Sequence, residues 1–246
     1  MAEVDTAMRQ IIAMGGGGFS MEPDNLALDQ YILKQTNKPC PKVCFVPTAS
    51  GDADGYILRF NEAFTQLECH PSSLSLFRLP TADLDDFVLN QDVIYVGGGN
   101  TRSLLALWRE WGLDSVFRKA YDAGIVLAGI SAGANCWFEQ CSTDSVPGEL
   151  RMWPCLGFLR GSFSPHYDGE PERRTTLHRL MKDELILPGY AVENSAAIHF
   201  IDEQPFRAIR SRSTAKAYRV TRVEEQIVEE ALAMSDVGAE KQAKPA

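Results

Sequence analysis

Short apolar runs rich in β-branched residues alternate with amphipathic stretches along the first 140 residues of the chain. This order is typical of a parallel β-sheet whose two faces are covered by helices. We therefore predict an α/β fold with a doubly wound, mostly parallel sheet. The predicted strands are 9–14, 42–47, 74–77, 92–96 and 125–128, and the predicted helices are 25–35, 56–67, 101–111, 114–122 and 132–140.

The pattern becomes looser beyond residue 140, where prolines and glycines interrupt the apolar runs. A helix over 175–182 is still predicted, with short strands over 189–192, 196–201, 206–209 and 217–220. The final segment, 223–246, contains six acidic residues and two lysines, so we expect an exposed helix or a disordered tail there. No repeat or linker divides the rest, which predicts a single domain over 1–222.

The composition disfavours several classes of partner. Of the 246 residues, 45% are hydrophobic and 23% are charged, and the net charge is −9. An acidic chain repels phosphate backbones, so we expect no nucleic-acid partner. No apolar run reaches the roughly 18 residues of a membrane span, and residues 1–5 lack the basic start and apolar core of a signal peptide. A cytoplasmic protein without a membrane partner is therefore expected.

The cysteines and the spacing of other potential ligands give no sign of a bound metal. The six cysteines are spaced neither as in zinc ribbons nor as in thioredoxin motifs, and in the cytosol they should be reduced. No cluster with ligand spacing such as HExxH occurs. We therefore expect no metal and no cofactor.

The segment Gly129-Ile130-Ser131-Ala132-Gly133 lies between a predicted buried strand and a predicted helix. A strand, the pattern Gly-x-Ser-x-Gly and a helix form the context of a nucleophile elbow, where small residues allow a sharp turn that exposes the serine hydroxyl. Ser131 is then the nucleophile, and the amide of Ala132 is a donor for an oxyanion. The alternative is a structural turn in which the serine caps the helix.

A second glycine turn, Gly97-Gly98-Gly99, follows the predicted strand 92–96 and precedes the predicted helix 101–111, which Asn100 or Thr101 caps. Its backbone amides could provide the second oxyanion donor. The alternative is a phosphate-binding turn, although neither a GxGxxG nor a Walker pattern follows.

A serine needs a base, and the chain has four histidines. His166 lies in a predicted loop, where catalytic residues are common, and it is our candidate. His70 is expected at the surface or at a strand end, His178 solvated on a helix, and His199 packed within a strand. The group that orients the base is left open at this point among four residues, namely Asp144, Asp168, Glu193 and Asn194.

Together these motifs resemble the peptidase E family of serine hydrolases, which includes cyanophycinase-like enzymes. The matching segments are Val96–Thr101, Gly129–Asn135 and Pro165–Tyr167, and the resemblance covers roughly residues 8–222. It implies a class I glutamine amidotransferase-like, flavodoxin-like three-layer fold in which serine replaces the usual cysteine nucleophile. It further implies Ser131 as nucleophile, His166 as base, and an oxyanion hole formed by the amide of Gly98 or Gly99 with that of Ala132.

The resemblance also implies a third catalytic residue and a substrate. Family members that cleave dipeptides with N-terminal aspartate carry an acid after the histidine, and our alignment places Asn194 there, or Glu193 after a shift of one residue. The substrate carboxylate would be held by Arg173 or Arg174, with Asn100 also at the substrate. The alternative for the two arginines is the solvated start of a helix.

We expect hydrolysis of a small peptide or amide, with Asp-X dipeptides as candidates. The alternative is a weak or inactive member that binds a small ligand or has a regulatory role. The sequence leaves the oligomeric state open, with a homodimer as one alternative.

Overall fold

The computed structural model describes residues 7–169 and 171–238. Its strands are β1 (Gln10–Met14), β2 (Lys42–Val46), β3 (His70–Ser73), β4 (Val93–Val96), β5 (Val126–Ile130), β6 (Phe138–Thr143), β7 (Arg151–Pro154), β8 (Leu159–Ser164), β9 (Gly189–Val192), β10 (Ala196–Ile201), β11 (Gln204–Arg210), β12 (Ala217–Val223), β13 (Gln226–Ala231) and β14 (Met234–Asp236). Its α-helices are α1 (Gly18–Met21), α2 (Ala27–Lys34), α3 (Asp54–Phe64), α4 (Leu84–Leu89), α5 (Thr101–Trp111), α6 (Leu113–Asp122), α7 (Ala132–Asn135) and α8 (Pro171–Lys182).

The first sheet has eight strands in the order β14-β11-β10-β1-β5-β4-β2-β3. The five strands from β1 to β3 in this order are parallel, and β10 runs antiparallel to β1. Parallel strands place their carboxyl ends at one edge of a sheet, where open α/β sheets bind ligands. The carboxyl ends of β1, β4 and β5 therefore bring three glycine-rich turns together.

Both faces of this sheet are covered, because successive residues of each parallel strand enter two different apolar clusters. Ile11 of β1 packs into one cluster with Leu104, Trp108 and Phe117 from α5 and α6. The next residue, Ile12, packs into the other cluster with residues of α1, α2 and α3, among them Phe19, Leu28 and Phe60. The predicted doubly wound, three-layer α/β architecture is thereby confirmed.

A second sheet has six strands in the order β13-β12-β9-β8-β6-β7. Strands β6, β8 and β9 are parallel, while β7, β12 and β13 pair antiparallel. The loops after β8 and β9 carry His166 and Asn194. Helix α8 packs over this sheet through a small apolar cluster that includes Tyr167, Leu177 and Val220.

Three secondary-structure predictions are wrong. The predicted helix 132–140 ends at Asn135 and gives way to β6, because Phe138 stacks on Phe163 of the neighbouring β8, with 4.9 Å between the ring centroids. The predicted strand 74–77 is replaced by β3, a polar edge strand that sequence periodicity does not reveal.

The third error concerns the acidic C-terminal segment. Residues 226–231 form β13, which pairs with β12, and residues 234–236 form β14, which pairs with β11. They are therefore neither helical nor disordered. Residues 1–6, which were assessed for a signal peptide, and residues 239–246 of the predicted tail lie outside the described residues. The single domain over 1–222 stays a prediction.

All six cysteines are free, as expected. In the parts of the chain that the structure describes, no helix combines the length and apolar character needed to cross a membrane.

Candidate active site

Ser131 lies at the turn between β5 and α7, and its backbone is strained. Its φ of 56° and ψ of −114° fall in a region that residues with a side chain rarely adopt. The turn is held by three backbone hydrogen bonds. The Ser131 amide donates to Met14 O over 3.1 Å, and Ser131 O accepts from the amides of Ala134 and Asn135 over 2.9 Å each. The side chain is half-buried, so it lies at the accessible edge of the sheet.

The glycines on either side of Ser131 allow this turn to pack closely. A Cβ atom on Gly129 would lie 2.0 Å from Gly133 O, and a Cβ atom on Gly133 would lie 2.2 Å from Val96 O. No side chain fits at either position without movement of the backbone. The spacing Gly-x-Ser-x-Gly is thus required by the contact between α7, β5 and β4.

The glycine turn after β4 lies beside the serine. A Cβ atom on Gly98 would be 3.8 Å from Ser131 Oγ. The Gly98 amide, however, donates to Tyr56 Oη over 3.2 Å. Among the hydrogen bonds within 7–169 and 171–238, none is donated by the amides of Gly99 or Ala132. Of the three predicted oxyanion donors, Gly99 and Ala132 therefore keep a free N–H group.

His166 is held from both its backbone and its ring. It has a φ of 52°, its amide donates to Gly15 O over 3.1 Å, and its Nδ1 lies 2.7 Å from Asn194 Oδ1. An amide oxygen accepts a hydrogen bond, so the ring proton resides on Nδ1 and the lone pair on Nε2. The structure therefore pairs His166 with Asn194, the first choice of the alignment.

The other candidate partners of the ring are used elsewhere. Glu193 accepts hydrogen bonds from the Lys216 amide over 2.9 Å and from Tyr218 Oη over 3.0 Å. Asp168 Oδ1 accepts from the Asn194 amide over 2.8 Å, so it supports the asparagine rather than the histidine. Asp144 is exposed. The structure does not bring the alternative third residue, Glu193, to His166.

Consecutive carbonyl groups of the loop after β1 connect the two halves of the site. Met14 O accepts a hydrogen bond from the Ser131 amide, and Gly15 O accepts one from the His166 amide, both over 3.1 Å. The next carbonyl, Gly16 O, accepts from the Ser195 amide over 3.0 Å. A Cβ atom on Gly16 would lie 2.0 Å from Asn194 Oδ1. Gly15 and Gly16 were not among the predicted site residues. Their position directly after a buried first strand was the available signal.

Ser131 and His166 are thus anchored on neighbouring peptide groups of one loop. No direct hydrogen bond joins Ser131 Oγ to the His166 ring within the described part of the chain. Catalytic hydrogen bonds of this kind often form only when a substrate is bound.

The predicted substrate-binding residues all have partners within the protein. Asn100 caps α5 by accepting from the Ser103 amide, as expected of a cap, and its Nδ2 donates to Ser145 O over 2.8 Å. Arg173 is only 2% exposed and donates to Ser142 O over 3.3 Å. Arg174 Nε lies 3.4 Å from Glu229 Oε1, and the guanidinium group lies over the ring of Tyr167. The proposed contacts of all three with substrate stay predictions.

The remaining histidines differ in their surroundings. His70 is exposed at the start of β3, as expected. His199 is fully buried between Tyr31 and Gln10, and burial lowers its pKa to about 4, with a further contribution from Arg207. His178 was expected to be solvated on a helix; its side chain is 35% exposed, and its Nε2 also lies 2.6 Å from Glu229 Oε1.

Within residues 7–169 and 171–238, no group of three or more histidine, cysteine, aspartate or glutamate side chains is arranged to hold a metal ion.

The chain is similar to known peptidases in sequence. The sequence profile of peptidase family S51 matches residues 11–207. The uncharacterised peptidase YgaJ of Bacillus subtilis (strain 168) is 58% identical over 231 residues, which cover 94% of this chain and 100% of that protein. Peptidase E of Streptomyces coelicolor is 31% identical over 133 residues, or 53% of each chain.

Solved structures support the fold. A peptidase from an acI-B1 Actinobacterium superposes with a TM-score of 0.67 at 16% identity, over 93% of this chain and 98% of that chain. A putative peptidase E protein from Listeria monocytogenes EGD-e superposes with a TM-score of 0.60 at 20% identity, over 92% and 100%. With the family match over most of its length, the chain belongs to peptidase family S51 and is a serine-type peptidase.

Proposed function

We propose that the chain hydrolyses a small peptide or amide with Ser131 as nucleophile and His166 as base. The observation that carries this proposal is the 2.7 Å contact between His166 Nδ1 and Asn194 Oδ1. It supports a tautomer with the ring proton on Nδ1, in which Nε2 is able to accept a proton. The strained turn at Ser131 and its anchor on the same loop as His166 support the pairing.

The reaction follows from this arrangement. Ser131 Oγ attacks the scissile carbonyl while His166 Nε2 takes its proton, and the oxyanion of the tetrahedral intermediate is stabilised by the amides of Gly99 and Ala132. His166 then gives the proton to the leaving amine, which leaves an acyl group on Ser131. Water activated by Nε2 hydrolyses this ester and restores the serine.

Asn194 limits what the pair can do. An amide oxygen fixes the tautomer and orientation of the imidazole, but it carries no negative charge to stabilise the imidazolium that forms. The resemblance suggests Asp-X dipeptides as substrates, with Arg173 or Arg174 holding a carboxylate and Asn100 nearby. The neutral Asn194 is the reason to test β-aspartyl peptides and small esters beside them.

The test is a screen of Asp-X dipeptides, β-aspartyl peptides and small esters with the wild type and Ser131→Ala. We expect Ser131→Ala to lose at least roughly several hundred-fold in kcat/KM, because nucleophile and base act as a unit. Ser115→Ala, an exposed serine on α6, is the matched control and should keep the wild-type rate. Equal rates for Ser131→Ala and the wild type would end the proposal.

A second candidate function is binding without efficient catalysis. It is favoured by the neutral Asn194 and by Tyr56 Oη, which accepts from the Gly98 amide. A serine-directed phosphonate separates the two. Labelling at Ser131 that disappears in His166→Ala supports the hydrolase, whereas an unlabelled, folded wild-type protein supports the binding protein.

The cytoplasmic location and the homodimer are further expectations that we keep as proposals. Subcellular fractionation tests the first. Light scattering of the purified chain tests the second, with a mass near twice the 27.2 kDa of one chain as the expected result for a dimer.

A further inference from the structure

Glu229 is an acidic residue in β13 whose carboxylate accepts several hydrogen bonds at one oxygen. Its Oε1 accepts a short hydrogen bond from Tyr167 Oη, lies 2.6 Å from His178 Nε2, and lies 3.4 Å from Arg174 Nε. The side chain is only 18% exposed. Charge-assisted hydrogen bonds are shorter and stronger than neutral ones. The Glu229 carboxylate therefore holds the side chains that contact it in fixed positions.

One of these donors belongs to the residue directly after His166. Tyr167 is 3% exposed and packs with Leu177 and Val220 in the cluster beneath α8. Its amide donates to Val192 O over 3.2 Å, and burial together with Glu229 raises the pKa of its hydroxyl. The hydroxyl therefore keeps its proton and donates to Glu229 Oε1, while His178 Nε2 lies 3.3 Å from the same hydroxyl.

The backbone of His166 needs such support. Its φ of 52° is costly for a residue with a side chain and persists only where the surroundings fix it. Gly15 O holds the His166 amide from the side of β1, and Asn194 holds the ring. The side chain of Tyr167 holds the same loop from the opposite side, where β13 and α8 meet.

We propose that Glu229 is a positioning residue that acts through Tyr167 to hold the His166 ring in its working orientation. The proposal rests on the function proposed above for His166. Glu229 lies outside residues 11–207, the segment that the family profile matches. The support comes instead from a strand that the acidic composition had suggested to be a tail.

The experiment compares Glu229→Gln, Tyr167→Phe and the double variant with the wild type. We expect kcat to fall about tenfold in each single variant with KM unchanged, because a small misplacement of a catalytic group lowers the rate steeply. The double variant should lose no more than the larger single loss, since both changes interrupt the same contact.

Glu230→Gln is the matched control. Glu230 is the next residue of β13 and is exposed. Glu230→Gln removes the same charge as Glu229→Gln, and this variant should keep the wild-type kcat. Thermal unfolding of every variant shows whether a loss of activity comes from misfolding or from a displaced His166 ring. If Glu229→Gln does not fold, Tyr167→Phe still removes the same contact and tests the proposal. Wild-type kcat in folded Glu229→Gln and Tyr167→Phe would overturn the proposal.

A readout independent of activity distinguishes this proposal from the function itself. The Nδ1–H resonance of His166, assigned by its loss in His166→Ala, should shift in Glu229→Gln and stay in place in Ser131→Ala. An unchanged resonance in Glu229→Gln overturns the positioning role even if catalysis is established. A shifted resonance supports it even if Ser131→Ala shows that the serine is not the nucleophile.

Discussion

The serine and the histidine of the candidate site are held in different ways. Ser131 lies between Gly129 and Gly133, and its turn depends chiefly on contacts within the motif and with adjacent parallel strands. His166 depends on Gly15, which is distant in sequence, and on Asn194, 28 residues away. Through Tyr167 it also depends on Glu229, which is 62 residues from Tyr167. The geometry of the serine turn can therefore be encoded in a five-residue motif. The position of the histidine depends on contacts between distant residues, so no short motif encodes it.

Glycine substitutions give the largest expected contrast between the two sides. In Gly133→Ala the new methyl group would meet backbone, Val96 O at 2.2 Å, so we expect lost activity together with a stability loss of about 1–3 kcal/mol. In Gly16→Ala it would meet a side-chain atom, Asn194 Oδ1 at 2.0 Å. Asn194 is able to move, so activity should fall roughly 10- to 100-fold with little loss of stability.

These two variants are checked by kcat/KM and by urea unfolding of the same preparations. Gly55→Ala, where a methyl group would meet nothing within 4 Å, is the control for both. Equal stability losses in Gly16→Ala and Gly133→Ala would mean that the histidine side is as tightly packed as the serine side.

A smaller effect is expected from Asn194→Asp. A carboxylate at this position would stabilise the imidazolium as well as fix the tautomer. We expect kcat/KM to rise about three- to tenfold near neutral pH and the acid limb of the pH–rate profile to move to higher pH. A fall in rate with an unchanged profile would show instead that the site is built around the neutral amide.

The smallest effect on activity is expected from substitution of Asp29. This substitution should alter the stability of the protein and leave its activity unchanged. Asp29 is fully buried, accepts from the Phe19 amide and from Tyr95 Oη, and burial raises its pKa to about 7. Between about pH 4 and 7 the folded state therefore binds this proton more strongly than the unfolded state. The contribution of Asp29 to the free energy of unfolding is greatest below this range and falls as pH rises through it.

The measurement is urea unfolding from pH 4 to 8 for the wild type and Asp29→Asn. The pKa of His199 is lowered to about 4, so this residue acts in the opposite sense. As pH falls below about 6.5 the unfolded state binds a proton at His199 before the folded state does, and the free energy of unfolding decreases. Its contribution is common to both proteins and cancels in their difference. A difference between the two proteins that does not change with pH would contradict the assignment.

The regular first sheet shows how far sequence patterns reach. The predicted helix 101–111 agrees with α5 residue for residue, and of the two predicted caps, Asn100 and Thr101, the structure has Asn100. Caps and periodicity are local signals. The predicted helix 132–140 fails after Asn135, since the pairing of Phe138 with Leu159 of β8 decides its conformation. An apolar run of this length is ambiguous until its neighbours are known.

The choice between Glu193 and Asn194 shows the limit at the site. The two residues are adjacent, and a one-residue shift in alignment exchanges them, so sequence spacing gave no physical ground to prefer either. In the structure Glu193 accepts from Lys216 and Tyr218, whereas Asn194 faces His166. The direction of each side chain is set by the turn between β9 and β10, which depends on both sheets.

The sequence by itself determined the α/β architecture, the sharp turn at Ser131 and the glycine turn beside it. These features follow from propensity, periodicity and steric limits that act over a few residues. Only the tertiary structure decided that Asn194 meets His166, that the loop after β1 joins both sides, and that β13 reaches Tyr167. Each of these contacts joins residues far apart in sequence, and their energies exist only once the two sheets have packed.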